Sequence, residues 1–427
     1  MTYILRATIF IPIFLLLIVP ASAQTKNLYA GTKTPYPTPA PQYTPAPPGF
    51  TPVFVNYVGR HGARYFTKAG SDIRLLQVLQ EALKHDQLTP LGLVLLVRAQ
   101  RFVQMQTGNY ENITGLGKEE QVGIGKRMLT NYQEAFTGKG VEIYATHKVR
   151  TQQSAAAFLD GFAAYSGKKE YHILPDSLDT ILRFYDLSPA YQAFKKGQTV
   201  QQAMDSLLTD NKTKQVAKEI CQNVFTPAFK TDAVTFVQDL YDVYCGQFSM
   251  TAEMKQLGIT DENINCGIPF TRQQLQWFAF INGAEDFLEK GAGRDTLGIQ
   301  ATVATPLLAD FITTTSDVIK HGKPADAILR FTHAEAISPF ATLLGIPQAS
   351  VPAASIYQYN QHWSAESIIP LSANIQWIVY SNGSEYLLKV LLNEKETTLP
   401  MPTLQWPYYK WEEVKDYYLQ KLQSLTP

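Results

Sequence analysis

The stretch Val53-Phe54-Val55-Asn56-Tyr57-Val58-Gly59-Arg60-His61-Gly62-Ala63-Arg64 decides how this chain is read. Its first six residues form a short apolar run with the β-branched and aromatic content of a buried strand. The run empties into a turn in which two arginines flank a histidine. In open α/β sheets, ligands bind just beyond the carboxyl ends of strands. Two guanidiniums, Arg60 and Arg64, can grip a dianionic oxyanion through paired, charge-assisted hydrogen bonds. A neutral imidazole between them, His61, can attack phosphorus, and Gly62 lets a bulky anion come close to the backbone. A strand exit with solvated charges is the plain alternative. The argument against it comes from further along the chain.

Residues 327–332 (Ala-Ile-Leu-Arg-Phe-Thr) form a second strand-like run, followed by His333-Ala334-Glu335 and a helix-like segment, 336–345, closed by a glycine. A histidine and a carboxylic acid at such a junction can bind phosphate and protonate a leaving group. A third run, 141–146, leads through His147-Lys148-Val149-Arg150 into the helix-like Ser154-Ala155-Ala156-Ala157-Phe158-Leu159. Any one of these junctions alone is weak: His-x-Glu occurs by accident on surfaces, and a lone Arg150 reads as a solvated helix cap. Three of them carrying Arg/His chemistry imply one convergent anion pocket.

On these residues the chain resembles the histidine acid phosphatases of the histidine phosphatase superfamily. Within that family it resembles the multiple inositol polyphosphate phosphatases, which carry His-Ala-Glu where classical acid phosphatases and many phytases carry His-Asp. Leu116-Gly117-Lys118-Glu119-Glu120-Gln121 resembles the family's Gly-x-x-Gln stretch. Leu182-Arg183-Phe184-Tyr185-Asp186 and Leu391-Leu392-Asn393-Glu394-Lys395 resemble further segments of the subgroup. The likeness spans about residues 50 to 400. One departure is plain: Phe66 stands where the family's signature has proline. This changes loop rigidity, and the expected consequence is on substrate fit more than on activity.

Composition bounds the remaining options. The chain has 427 residues, with Lys+Arg 37 balanced by Asp+Glu 37, 45% hydrophobic and 12% aromatic. A nucleic-acid binder would show a basic excess, so no nucleic-acid partner is expected; a polyanion-handling enzyme would focus its positive charge in a cleft. Arg6, the apolar run from Ile9 to Val19 and Ala21-Ser22-Ala23 read as a signal peptide of bacterial style, cut near Ala23-Gln24. Export to the periplasm or beyond is therefore expected. No membrane span is expected in the mature chain, because Leu91 to Val97 is short and reads as core. Residues 24–48, with seven prolines from Pro35 to Pro48, read as an extended linker.

From Gly49 an α/β pattern begins. Helical spacing covers Asp72 to Lys84 and Glu119 to Phe136, and strands are expected at Val141–Thr146, Tyr171–Leu174 and Ile328–Thr332. Ile375–Tyr380 and Tyr386–Leu392 flank Ser381-Asn382-Gly383-Ser384, a hairpin signal. Helical spacing dominates in 181–299, for instance Val200 to Leu208 and Gln273 to Leu288. The fold class that follows is α/β. A mostly parallel central sheet is flanked by helices across 49–180 and 300–427, with a mainly helical cap inserted at 181–299 and a late antiparallel hairpin. The glycine pairs Gly115/Gly117 and Gly123/Gly125 lack phosphate-loop spacing and read as helix punctuation.

The resemblance implies a phosphomonoesterase in which His61 is phosphorylated and Glu335 donates the proton, while Arg60, Arg64, Arg150 and His333 hold the phosphoryl oxygens. No cofactor and no metal is expected. Inositol polyphosphates, phytate above all, are the implied substrates, with Lys68 as a rim cation and Arg183 and Lys290 behind it. An acidic to mildly acidic optimum follows if Glu335 must be protonated. The resemblance also implies a Cys245–Cys266 disulfide that leaves Cys221 over; the alternative is three buried thiols. Competing readings are a broad-specificity periplasmic acid phosphatase acting on sugar phosphates or small monoesters, a mutase of the wider superfamily, and a non-catalytic anion-binding module.

Overall fold

The structure, a computed structural model, describes residues 28–38, 42–173, 175, 179–295, 297–322 and 325–425. The expected signal peptide and its cleavage point lie outside the described residues. So do Leu174, at the end of one expected strand, and residues 24–27 and 39–41 of the Pro-rich stretch.

One mixed sheet organises the chain. Its strands are β1 (Thr51–Arg60), β2 (Val141–Ala145), β3 (Lys169–Ile173), β4 (Ala327–Thr332), β5 (Asn374–Ser381), β6 (Tyr386–Leu392), β7 (Lys395–Glu396) and β8 (Tyr408–Lys410). The order is β3-β2-β4-β1-β5-β6-β7, with β8 also on β6. The half that contains β3, β2, β4 and β1 is parallel; β5 runs antiparallel to β1, and β6 antiparallel to β5. The expected hairpin joins β5 to β6 through Gly383, whose φ is +92°. Asn382 Oδ1 accepts there from the amides of Ser384 and Glu385.

The near-continuous apolar runs of β1 and β4 reflect burial on both faces, as parallel strands require. Phe54, Val58 and Ile328 face one core with α9 (Thr305–His321), α10 (Ala334–Leu343) and α11 (Trp411–Leu425). Val55, Tyr57, Leu329 and Phe331 face the other, which is closed by α3 (Gly115–Asn131) and α4 (Val149–Asp160) through Ile124, Met128 and Phe158.

Segment 184–302 is helical, with short turns at Phe184–Leu187 and Pro189–Lys195, then α5 (Gln198–Leu208), α6 (Asn211–Val224), α7 (Ala233–Gln247) and α8 (Arg272–Lys290). Its helices divide between two cores. α6 and α7 share a separate cluster with α1 (Ser71–Lys84) and α2 (Pro90–Gln106), in which Leu75, Leu79, Leu96 and Phe102 meet Ala217, Ile220, Val237 and Leu240. α5 packs instead on the sheet's own core. α8 spans both: Phe278 lies in the separate cluster, and Ile281, Ala284, Phe287 and Leu288 in the sheet's core. Its C-terminal half thereby joins the core beneath the sheet.

Three readings change. Leu91 to Val97 is not wholly core: it lies on α2, where Leu95 and Leu96 are buried while Leu93, Val94 and Val97 are exposed. A helix with one covered face splits an apolar run this way. The Pro-rich segment does not stand off from the body. The Tyr36 amide donates to Glu120 at 2.8 Å, the Tyr36 hydroxyl to Glu394 at 3.1 Å, and the Thr44 amide to Glu396 at 2.9 Å, while Tyr43 stacks on Tyr132. The expected Cys245–Cys266 disulfide is not formed, and Cys221, Cys245 and Cys266 are all free thiols. Cys245 packs beneath the Tyr29 carbonyl, 4.0 Å away, whereas Cys266 is held by its amide, which donates to Gln247. The thiols of Cys245 and Cys266 are buried in the cluster of the helical lobe, Cys221 packs half-buried against it, and burial pushes the first two up to about 12.

Candidate active site

The register of the parallel strands builds the site. Arg60 of β1 lies opposite Thr332 of β4. The His61 amide donates to the Thr332 carbonyl at 3.0 Å, extending the ladder by one residue. His61 and His333 therefore leave the sheet side by side, with ring centroids 5.5 Å apart. On the other side of β4, Ala145 of β2 pairs with Phe331. The chain beyond it brings Thr146 to 3.2 Å from His333 Nε2 and starts α4 with Arg150 in its first turn.

His61 is buried, and its Nδ1 lies 3.0 Å from the Gly62 carbonyl. A carbonyl only accepts, so Nδ1 carries the hydrogen and Nε2 keeps a free lone pair. Burial, then the charges of Arg60, Arg64 and Arg150, hold His61 well below its ordinary pKa. The ring is neutral. His333 is likewise held well below its ordinary value, by burial and Arg150.

Three guanidiniums converge on this pair. Arg60 anchors one nitrogen on the carbonyls of Thr32 (2.7 Å) and Ile369 (2.6 Å). Arg64 anchors on the carbonyl of Tyr65 at 2.7 Å. Yet Arg60 Nε, Arg64 Nε, and Nε and Nη1 of Arg150 are buried without a hydrogen-bond partner; the Glu111 carboxylate comes only to 4.0 Å of Arg150. Buried donors without acceptors are rare and unfavourable. Several of them on clustered cations make a receptor for an oxyanion with several acceptor oxygens.

Glu335 stands in the first turn of α10, its side chain 34% exposed and 3.5 Å from Lys290 Nζ. Burial alone would raise its carboxyl, but Lys290, with Arg60 and a backbone hydrogen bond, outweighs burial and holds it below the ordinary carboxylate range. Lys290, at the end of α8, is buried and pairs with Asp286 at 2.8 Å. The candidate rim cations fare differently. Lys68 is exposed on the loop before α1. Arg183 is buried, its Nε donating to Asp186 at 2.9 Å and its Nη1 lying 2.8 Å from His147 Nδ1. Lys290 is committed to its two carboxylates.

A layer behind the signature turn gives the family-like stretch Leu116–Gln121 a role that the sequence left unassigned, and adds Ser372, which the sequence did not single out. The buried Glu120 carboxylate accepts from the amides of Ala63 (2.9 Å) and Tyr36 (2.8 Å) and from the Ser372 hydroxyl (2.7 Å). Gln121 donates to the Arg60 carbonyl and to Ser372 Oγ, both at 3.0 Å. Ser372, in a left-handed conformation at φ +58°, donates its amide to the His61 carbonyl. The Gly62 amide is held by Ser154 Oγ. Gly117 is more than punctuation: a Cβ there would lie 2.0 Å from the Ala63 carbonyl, and one on Gly62 would lie 2.6 Å from that of Gly117. Two glycines facing each other could have flagged this close approach; nothing in the sequence marks Glu120 or Ser372 as partners. Phe66 packs edge-on against Phe102 at 5.3 Å, and its amide donates to Gln106 at 2.8 Å, a bond that proline could not make.

A neutral imidazole, arginines with unmet donors and a flanking carboxylate gather at the carboxyl edge of the parallel strands of an α/β protein, a donor set that suits an oxyanion. The chain belongs to the histidine phosphatase superfamily, branch 2, whose family model matches residues 53–393. No curated protein matches it. Among solved structures it is similar to the Bifidobacterium longum multiple inositol polyphosphate phosphatase in complex with inositol hexasulfate, with TM-score 0.78, 23% identity, and coverage of 91% of this chain and 96% of that one. It is also similar to the phytase from D. castellii (TM-score 0.70, 16% identity, 92% and 85% covered) and the Klebsiella sp. ASR1 phytase (0.54, 13%, 88% and 98%). At these identities the likeness concerns the fold. Among the described residues no group of three or more His, Cys, Asp or Glu is arranged to hold a metal ion, and no helix is long and apolar enough to cross a membrane.

Proposed function

We propose that the chain is an exported phosphomonoesterase that hydrolyses inositol polyphosphates through a phosphohistidine on His61, with Glu335 as proton donor. The observation that carries this reading is the neutral His61 ring, its Nε2 unencumbered, among buried guanidinium donors that lack acceptors. A phosphoryl group satisfies those donors at its equatorial oxygens and leaves phosphorus facing Nε2. Attack breaks the P–O bond, and the leaving alkoxide takes a proton from Glu335. Water then attacks the phosphohistidine with the same carboxylate as base. Arg60, Arg64, Arg150 and His333 bind the phosphoryl oxygens throughout, and Nδ1–H, donated to the Gly62 carbonyl, stabilises the ring as it becomes cationic.

The substrate class is supported by the inositol hexasulfate complex of the Bifidobacterium protein and by the His-Ala-Glu triplet, and export by the N-terminal sequence. A broad-specificity monoesterase would use the same groups, and turnover of phytate against glucose phosphate separates the two. The test of the chemistry is His61→Ala, expected to lower turnover by at least about 10³-fold with its melting temperature kept. Wild-type turnover in that variant would overturn the mechanism.

A further inference from the structure

We propose that Lys290, anchored by Asp286, is the positioning residue that keeps Glu335 a carboxylate in the empty site, so that the proton Glu335 delivers arrives with the substrate. The inference rests on the phosphomonoesterase reading and specifies the source of its proton.

The geometry is specific. α8 packs across both hydrophobic cores, and Lys290 in its last turn is buried. Its ammonium sits 2.8 Å from Asp286, one helical turn back, and 3.5 Å from Glu335. Asp286 therefore takes the tighter contact, and Glu335 is held by the ammonium's charge and by a hydrogen bond from its own backbone amide. Further cations act on the same carboxylate, Arg60 and Arg64 from the end of β1 and Arg150 from α4, while the His333 ring two residues before it is neutral. The hydroxyls of Tyr185 and Tyr191 face it from the turns at 184–187 and 189–195. Burial opposes ionisation, and the surrounding cations outweigh it.

An acid that is ionised in the free protein must gain its proton on binding. A phosphomonoester near pH 5 is largely a monoanion, since its second ionisation falls near pH 6 (about 6). Seating that monoanion among the guanidiniums favours the dianion, and its proton passes to Glu335. Nε2 of His61 then bonds to phosphorus, the P–O(R) bond breaks with its electron pair on oxygen, and Glu335 returns the proton to that oxygen. The products are ROH, the phosphohistidine and the original carboxylate, so charge and protons balance. The rate through kcat/KM accordingly falls on the alkaline side with the substrate's own ionisation, and on the acid side with that of Glu335.

The test is the kcat/KM profile of Lys290→Gln on phytate and on para-nitrophenyl phosphate, whose leaving group needs no proton. The variant is expected to raise the acid limb on phytate by at least about one pH unit, tenfold at the lower pH, with no such shift on the nitrophenyl ester. Lys290→Arg should restore the wild-type limb. Superposable limbs for wild type and Lys290→Gln overturn the inference. Should Lys290→Gln fail to fold, carboxyl carbon NMR of wild type, with Glu335 assigned by difference from Glu335→Gln, decides the matter. A carboxylate still ionised at pH 4 supports the inference, and one titrating in the ordinary range or above overturns it. That measurement needs no turnover, so a protein inactive on every monoester would refute the enzymatic reading without deciding the ion pair.

Discussion

At the scale of the residue, Glu335 holds two demands that pull against each other. As the proposed proton donor it must bear a proton, yet Lys290 at 3.5 Å and Arg60 disfavour one. Bound phosphate, with its negative charge, reverses the balance. The role predicts a leaving-group signature. Glu335→Gln should slow hydrolysis of phytate by about 10² to 10⁴-fold, the usual range for general acid catalysis, and slow para-nitrophenyl phosphate far less, as steady-state rates on the two esters will show. Equal losses on both would make Glu335 a binding group only. The residues proposed for this chemistry were legible because each follows a strand in a recognisable triplet or pentad. Lys290 was legible only as a cation; its two carboxylate partners depend on where α8 ends.

At the scale of the element, the signature turn is shaped by helix α3 behind it. Glu120, Gln121 and Gly117 lie on one face of that helix and meet the turn through the Ala63 amide, the Arg60 carbonyl and direct backbone approach. Gly117→Ala puts a methyl group 2.0 Å from the Ala63 carbonyl, so helix and turn must separate. The expected outcome is a loss of about 1–3 kcal/mol of stability together with a lower kcat, measured by denaturant melts and phytate turnover; unchanged kinetics would show that the turn does not depend on α3. The periodicity of strands and helices was readable to within a few residues. The sharing of the helical lobe between α1–α2 and the inserted α6 and α7 was not, because amphipathic helices declare a buried face without declaring a partner.

At the scale of the whole molecule, the empty site opposes folding in a pH-dependent way. His61 and His333 are both held well below their ordinary pKa, whereas in the unfolded chain they titrate near 6.5 (about 6.5). As pH falls below that value the unfolded state binds more protons, so stability is lost on acidification toward the folded values. Glu335, depressed in the folded state, adds stability that is present above the unfolded carboxyl pKa and is lost only at lower pH. Between pH 6.5 and 5 (roughly) the histidines dominate these three groups. Asp179, whose carboxyl burial pushes up to about 6, works the opposite way, so the histidine contribution is read from thermal melts as the difference between proteins: the Tm lost from pH 7 to pH 5 should be smaller in His333→Gln than in wild type. Inorganic phosphate at 100 times its Kd should add about 2.7 kcal/mol by filling the cationic pocket. A Tm indifferent to phosphate would contradict an anion site.

The chain order of Arg60-His61-Gly62-Ala63-Arg64, Arg150 and His333-Ala334-Glu335, each after an apolar run, determined the sheet, the family likeness and the candidate chemistry, because strand patterning and reactive side chains are local properties. Tertiary structure alone decided which of those groups meet and in what state. The register of β1 on β4 set the two histidines 5.5 Å apart. The packing of α8 brought Lys290 to Glu335, and folding sealed the thiols of Cys245 and Cys266 apart and laid the Pro-rich segment on Glu120 and Glu394. Protonation and pairing follow from distance and burial, and both come into being only when remote segments pack.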